Sequence, residues 1–212
     1  TLAKLTPDDA NVPLLLAASA EGLGKLEEAV KWTEKGAQAG SPDADSGPAR
    51  ISRSIAATYL AWGRIAAREA GKKDEEKALL ARTDRVLSAE RGSQAKVSAK
   101  VRATLMWSHP EFHPTLWSNA LGAPMPAPDS DQSLGVAQVM LPERADVFVE
   151  VRLEPDELEH AARLSAEAWL TVVFDEAGEG EKIVKMPIRF VRDGRTTQRF
   201  SVTGGQVREV VP

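Results

Sequence analysis

The residues best able to hold a metal ion lie in one short segment with two of the three histidines. His109, Glu111 and His113 alternate along the chain, and imidazole and carboxylate groups are common metal ligands. Pro110 and Pro114 exclude a helix here, and alternate side chains of an extended segment share one side. The spacing therefore permits a weak surface metal site. Metal sites usually need a fixed shell of supporting contacts, so we favour exposed loop residues without a metal.

No nucleophile, base and orienting group can be placed together from the rest of the sequence. Cysteine is absent, which excludes disulfides, thiolate catalysis, zinc ribbons and iron–sulfur clusters. The acidic pair Asp129 and Asp131 does not continue into the glycine and distal glutamate of a calcium loop. Gly204-Gly205 falls in a predicted turn, not at the strand-to-helix junction that binds phosphate. We therefore predict a non-enzymatic protein without a cofactor.

Basic residues of the predicted helices and one tryptophan are the candidates for binding a partner. The cations would line a groove on a concave helical face that accepts a peptide or a helix. The tryptophan follows a proline-bounded loop, and an exposed tryptophan can anchor a protein partner. The predicted binding residues are Lys31, Lys35, Arg64, Arg68 and Trp117.

Length and composition describe an ordinary globular chain of one large or two small domains. The 212 residues are 42% hydrophobic and 27% charged, with a net charge of −4. This balance argues against nucleic acid and anionic membranes as partners, because both select clustered lysine and arginine. No apolar run approaches the roughly 20 residues that span a bilayer. The chain opens without a methionine, so we expect a piece of a longer protein. Its compartment stays open between the cell envelope, including the periplasm, and the cytoplasm.

The first part of the chain shows helical periodicity in two pairs of segments. Gly24 and Gly71 mark the turns within the pairs, where glycine takes a positive φ at little cost. Turn residues over Ser41–Pro48 predict a loop between the pairs, and the polar stretch Ala89–Ala99 predicts a boundary after them. The predicted helices are Pro13–Gly22, Leu26–Ala39, Ala49–Ala70 and Asp74–Leu87. The predicted buried stripe of the third is Ile51, Ile55, Tyr59, Trp62, Ile65 and Ala66.

The second part alternates with a period of two, which is typical of strands. Val101–Trp107 reads as a half-buried strand, with Arg102, Thr104 and Met106 on its polar side. Pro187 predicts an edge strand, and the low-complexity stretch Gly122–Ser133 precedes the predicted strand Leu134–Leu141. Asp193-Gly194 and Gly204-Gly205 predict hairpin turns. The further predicted strands are Leu134–Leu141, Ala145–Leu153, Ala166–Phe174, Lys182–Val191, Thr197–Val202 and Val207–Val211, with one helix at Pro155–Leu164.

Two family resemblances follow from these patterns. Leu16, Ala17, Ala20, Gly24, Ala29 and Gly36 are spaced in a way that resembles a tetratricopeptide repeat, whose unit has about 34 residues. Leu105-Met106-Trp107 followed by Leu116-Trp117 resembles the uncharacterised C-terminal β-sandwich domain of bacterial proteins with a vault-type or von Willebrand A domain. His113 and Thr115 stand where that family tends to have aspartates. This departure argues against a metal or polar ligand at the loop.

The sequence thus predicts an α+β chain with a tetratricopeptide-like helical domain over residues 1–93. An immunoglobulin-like antiparallel β-sandwich is predicted over residues 97–212. The favoured function is a protein-interaction or structural module of a larger bacterial protein, with a protein or a neighbouring domain of the same chain as partner. The alternative is a metal- or carbohydrate-binding sandwich that uses Trp117, His109 and His113.

Overall fold

The chain divides into two compact units, Thr1–Lys96 and Val97–Pro212. The described part of the first unit is helical, and that of the second holds two antiparallel sheets and one helix. The predicted mixture of helices and antiparallel strands is therefore confirmed. The computed structural model describes residues 11–38, 47–91, 101–107, 111–131, 135–143, 145–164, 167–190 and 194–210.

Four helices are described in the first unit, and they follow the predicted pairs closely. They are α1 (Asn11–Gly22), α2 (Leu26–Gln38), α3 (Gly47–Glu69) and α4 (Lys73–Arg91). The last of them runs further than the predicted Leu87, into the polar stretch expected to be a boundary. The rest of that stretch, and residues 41–46 of the predicted loop, lie outside the described residues.

Both helix pairs are joined by the same glycine turn. Gly24 (φ 71°) and Gly71 (φ 68°) have the left-handed backbone that glycine favours. The amide of Lys25 donates to the carbonyl of Ala20, and the amide of Lys72 donates to that of Ala67. Each glycine amide also donates to the carbonyl three residues before it, and the two bonds together form the Schellman pattern that satisfies the last carbonyls of a helix.

The third helix is buried more widely than a single stripe. Every side chain from Ser52 to Ala61 is buried, whereas Ala66, which the stripe included, is exposed. Small residues allow the close packing: a Cβ built on Gly36 would lie 3.0 Å from Ser52 Oγ, and one built on Gly63 would lie 3.2 Å from Leu79 Cδ1. The predicted stripe was too narrow, because the helical period of a sequence does not show how many other helices pack against α3.

Ten strands of the second unit are described, in two antiparallel sheets of five. Sheet one has the order β4-β5-β1-β7-β8, and sheet two has the order β10-β9-β6-β2-β3. A helix, α5 (Pro155–Leu164), connects β6 to β7 with the bounds predicted for it. The strands are β1 (Val101–Trp107), β2 (Thr115–Ser118), β3 (Met125–Pro126), β4 (Asp129–Asp131), β5 (Val136–Leu141), β6 (Phe148–Arg152), β7 (Ala168–Phe174), β8 (Lys182–Ile188), β9 (Thr197–Thr203) and β10 (Gln206–Val210).

Both sheets contribute to one hydrophobic cluster. Leu105 and Leu170 of sheet one and Val149 and Phe200 of sheet two are among its members, and each is at most 1% exposed. The predicted valine alternation of β6 is confirmed, with Val149 and Val151 in this cluster. The edge position predicted from Pro187 is confirmed as well, since β8 ends sheet one.

Two strand predictions were wrong. The first strand is buried on both sides: Arg102 and Thr104 are at most 2% exposed, and Arg102 forms a buried ion pair with Glu176 that the alternation of the sequence does not reveal. Gly194 does not close a hairpin, because β8 pairs with β7 in sheet one whereas β9 pairs with β6 and β10 in sheet two. Two short strands that were not predicted, β3 and β4, lie in the low-complexity stretch Gly122–Ser133.

Candidate functional site

The outward side of sheet two carries a row of charged, polar and aromatic side chains. Directly paired residues of antiparallel strands share a face, and Trp117 pairs with Glu150, Glu150 with Arg199, and Arg199 with Val210. The alternate residues, such as Val149, belong to the hydrophobic cluster. We call the outward side the arginine face, defined by Thr115, Trp117, Phe148, Glu150, Arg152, Thr197, Arg199, Ser201 and Arg208.

Glu150 is the centre of this face and is 1% exposed. Its Oε2 accepts hydrogen bonds from Nε of Arg152 at 2.8 Å and from Nη2 of the same residue. Its Oε1 accepts one from Nε of Arg199 at 2.6 Å and pairs with Nη2 of that arginine. Burial alone would raise the pKa of Glu150, but the hydrogen bonds and charges of Arg152 and Arg199 outweigh burial and hold the pKa below its usual value.

Each of these two arginines also lies over an aromatic ring. The guanidinium carbon of Arg152 is 4.0 Å from the centre of the Trp117 ring, and that of Arg199 is 4.5 Å from the centre of the Phe148 ring. The indole of Trp117 donates to Thr115 Oγ1 at 3.1 Å. The side chains therefore alternate as aromatic, guanidinium, carboxylate, guanidinium and aromatic, and each arginine is held by cation–π contact and by ion pairing.

The two arginines keep hydrogen-bonding capacity toward solvent. Their side chains are 34% exposed for Arg152 and 50% exposed for Arg199. A guanidinium group has five N–H donors, and within the described chain Glu150 is the acceptor for Nε and Nη2 of both residues. The Nη1 groups are left for an external acceptor. With Arg208 also exposed, the face carries three arginines and one buried glutamate and is positive on a chain of net charge −4.

The structure separates the cations that were predicted to share one helical surface. Lys31 and Lys35 line an open depression of about 890 Å³ beside Trp32, and the Lys35 ammonium is 5.1 Å from the centre of that ring. Arg64, in contrast, is 1% exposed and donates to Thr83 of α4. It therefore cannot present its charge to a partner, because it points into the contact between α3 and α4.

Arg68 is also tied within the helical unit. Its Nε donates to Glu76 Oε1 at 2.6 Å, across the turn between α3 and α4. Of the five predicted binding residues, Lys31 and Lys35 lie together on α2, and Trp117 lies on the arginine face of the other unit. One continuous groove lined by all the predicted helical cations is therefore not formed.

The predicted metal-binding segment is paired with helix α5 instead. Glu111 Oε2 lies 3.1 Å from His160 Nε2, and His113 Nδ1 lies 3.1 Å from Glu157 Oε1. His109 lies outside the described residues. Among the residues that the structure describes, no group of three or more histidine, aspartate or glutamate side chains is placed to hold a metal. The two pairs fasten the segment between β1 and β2 to α5.

Sequence reasoning missed Glu150, Arg152, Arg199 and Phe148 as site residues. A signal for three of them was present, because Phe148, Glu150 and Arg152 alternate with the valines of the predicted strand Ala145–Leu153 and so had to face outward. Their association with Trp117 and Arg199 depends on strand order, which alternation does not reveal.

Comparison of the chain with protein-family profiles, curated proteins and solved structures found no match. Of the described helices, none combines the length and the apolar character needed to cross a bilayer.

Proposed function

We propose that this chain is a non-enzymatic protein-interaction module that uses the arginine face to bind a protein partner. The observation that carries the proposal is the arrangement of Arg152 and Arg199 on both sides of the buried Glu150. Arginine and tryptophan are enriched among the residues that dominate binding energy at protein interfaces. Because ion pairs and rings already hold the guanidinium groups, little side-chain entropy remains to be lost on binding.

The proposal includes a β-sandwich for the second unit and tetratricopeptide-like hairpins for the first. The hydrophobic cluster shared by the two sheets supports the sandwich. The identical turns at Gly24 and Gly71 support two related helical hairpins. These glycines are 47 residues apart in the chain, more than the roughly 34 residues of a tetratricopeptide unit, so the likeness lies in turn and packing and not in repeat length.

The rival function, a metal- or carbohydrate-binding sandwich, has less support from the same residues. His113 is paired with Glu157, and one side of the Trp117 ring is covered by the guanidinium of Arg152. A sugar ring stacking on that side of Trp117 would first have to displace an arginine that is also paired with Glu150. A protein partner with hydrogen-bond acceptors can bind Arg152 without displacing it.

Selection from a displayed random-peptide library on the full chain tests the proposal. The loss variant replaces the whole charged triad (Glu150→Met, Arg152→Met, Arg199→Met), because removing the arginines alone would leave a buried carboxylate without a partner. We expect peptides selected on the wild type to be retained about tenfold less by this triple variant. Circular dichroism and the melting temperature verify that the variant is folded.

The matched control is the double variant Lys31→Ser and Lys35→Ser, which removes two cations from the depression on α2. It is expected to retain the selected peptides as the wild type does. Selected peptides that bind the triple variant with full strength, or a library that yields no binder, would contradict the proposal. Loss of binding in the lysine variant alone would place the partner surface on the helical unit.

A further inference from the structure

The three arginines of the arginine face lie on one diagonal of sheet two. Arg152 of β6 pairs with Thr197 of β9, and Arg199 stands two residues further along β9. Arg199 pairs with Val210 of β10, and Arg208 stands two residues away on that strand. Each arginine is therefore the diagonal neighbour of the next, and the Cα atoms of neighbouring arginines are about 7–8 Å apart. The three span about 15 Å across three adjacent strands.

This spacing matches the repeat of an extended peptide. An extended chain rises about 3.3 Å per residue, so its side chains on one side recur every 6.6 Å or so. A peptide lying along the diagonal would bring every second side chain close to one arginine. The flexible side chains of the peptide's glutamates can absorb the difference of about 1 Å per step.

We propose that the arginine face binds an extended acidic segment of a protein partner, with carboxylates at three alternate positions. This inference rests on the proposed function of the face as a binding surface and adds the chemistry of the partner. Each carboxylate would accept charge-assisted hydrogen bonds from one guanidinium group, and the preformed orientation of Arg152 and Arg199 favours such pairs.

The charge pattern favours a short acidic peptide over a long polyanion. The chain has 31 acidic residues against 27 lysines and arginines, so a nucleic acid or a sulfated polysaccharide would meet repulsion beyond the diagonal. Three arginines over about 15 Å offer few phosphate contacts compared with the six to ten that give strong, salt-dependent nucleic-acid binding. A peptide with three carboxylates makes use of all three cations and extends no further.

Isothermal titration of the full chain with three synthetic peptides tests the inference. The first peptide has glutamates at three alternate positions in a serine and threonine background. The second has the same composition with the three glutamates contiguous, and the third has glutamates at two alternate positions. We expect the first to bind about three- to fivefold more tightly than the second, because only two of three contiguous side chains share one side of an extended peptide and one ion pair is lost.

The variant Arg208→Ser tests the contribution of the third arginine of the diagonal. We expect it to weaken the three-glutamate alternate peptide about three- to fivefold, as for one partly exposed ion pair. The two-glutamate peptide should change by less than about twofold, because Arg152 and Arg199 remain. Lys31→Ser serves as the control for loss of one positive charge and should change neither peptide.

The outcomes separate the inference from the proposed function. Equal affinity for the alternate and contiguous peptides, with binding of both lost in the triple methionine variant, would overturn the proposed match between peptide repeat and arginine spacing. The proposed function of the face would remain. Undiminished binding of the alternate peptide by the triple methionine variant would overturn both. A single-stranded oligonucleotide or a sulfated polysaccharide that binds more tightly than the alternate peptide at physiological salt would identify a polyanion as the occupant and overturn the inference.

Discussion

At the scale of single residues, Glu150 determines how the arginine face is built. A carboxylate that is 1% exposed would be unfavourable alone, and it is stable here because Arg152 and Arg199 supply hydrogen bonds to both of its oxygens. The same contacts turn two long side chains toward fixed positions. Removing the carboxylate should therefore affect both stability and the orientation of the arginines.

We expect Glu150→Gln to lower the free energy of unfolding by about 1–2 kcal/mol at neutral pH, because a charged hydrogen-bond acceptor is replaced by an amide. The pKa of Glu150 is lowered in the folded state from an ordinary value of 4.5. Its contribution is therefore present above that value and is lost as the pH falls through the lower folded pKa. Urea unfolding should show wild type and variant differing at neutral pH and converging in acid.

The control for this prediction is Glu209→Gln, an exposed glutamate on the edge strand β10. It should leave the unfolding free energy within about 0.5 kcal/mol of the wild type at every pH. A constant difference between wild type and Glu150→Gln from neutral to acid pH would show that the ionised carboxylate is not the source of the effect.

At the scale of elements, the two helix pairs depend on glycine only where the backbone is left-handed. Gly22 and Gly24 stand at the same turn, yet only Gly24 has a positive φ, and a Cβ built on either would meet no atom within 4 Å. Both positions therefore have room for a Cβ atom, and they differ only in backbone conformation.

We expect Gly24→Ala to destabilise the protein by about 1 kcal/mol, the conformational penalty for a left-handed alanine. Gly22→Ala, in the last helical position of α1, should be neutral or stabilise by up to about 1 kcal/mol. Chemical denaturation of both variants provides the comparison. Equal effects of the two substitutions would show that the Schellman turn is not formed.

At the scale of the whole molecule, the arginine face and the hydrophobic cluster behind it belong to one unit. The hydrophobic cluster that joins the sheets contains residues of Val97–Pro212 alone, and so does the arginine face. The described residues that pack the sheets together and those that hold the arginines in place all lie within Val97–Pro212.

A fragment of residues 97–212 should consequently fold and retain the arginine face. We expect a far-ultraviolet circular dichroism spectrum dominated by strand, a cooperative melting transition, and affinity for the alternate acidic peptide within about threefold of that of the full chain. A fragment that melts without cooperativity would contradict this independence.

The sequence by itself determined most of the elements of this protein. Helical spacing and glycine turns located α1 to α4, a proline with acidic first-turn residues located α5, and alternation located most of the longer strands. These signals are local, because a helix or strand that buries one side must repeat its apolar residues with the period of its own backbone. The alternation of Phe148, Glu150 and Arg152 also determined which side of β6 they occupy.

Only the tertiary structure decided which of these residues meet. Trp117 and Arg199 are far from Glu150 along the chain and reach it because β2 and β9 flank β6 in sheet two. The burial of Arg102 likewise depends on a residue distant in the chain, Glu176, with which it forms a buried ion pair. Strand order depends on pairings between distant segments, so a local pattern states which side a residue faces but not which neighbours stand beside it.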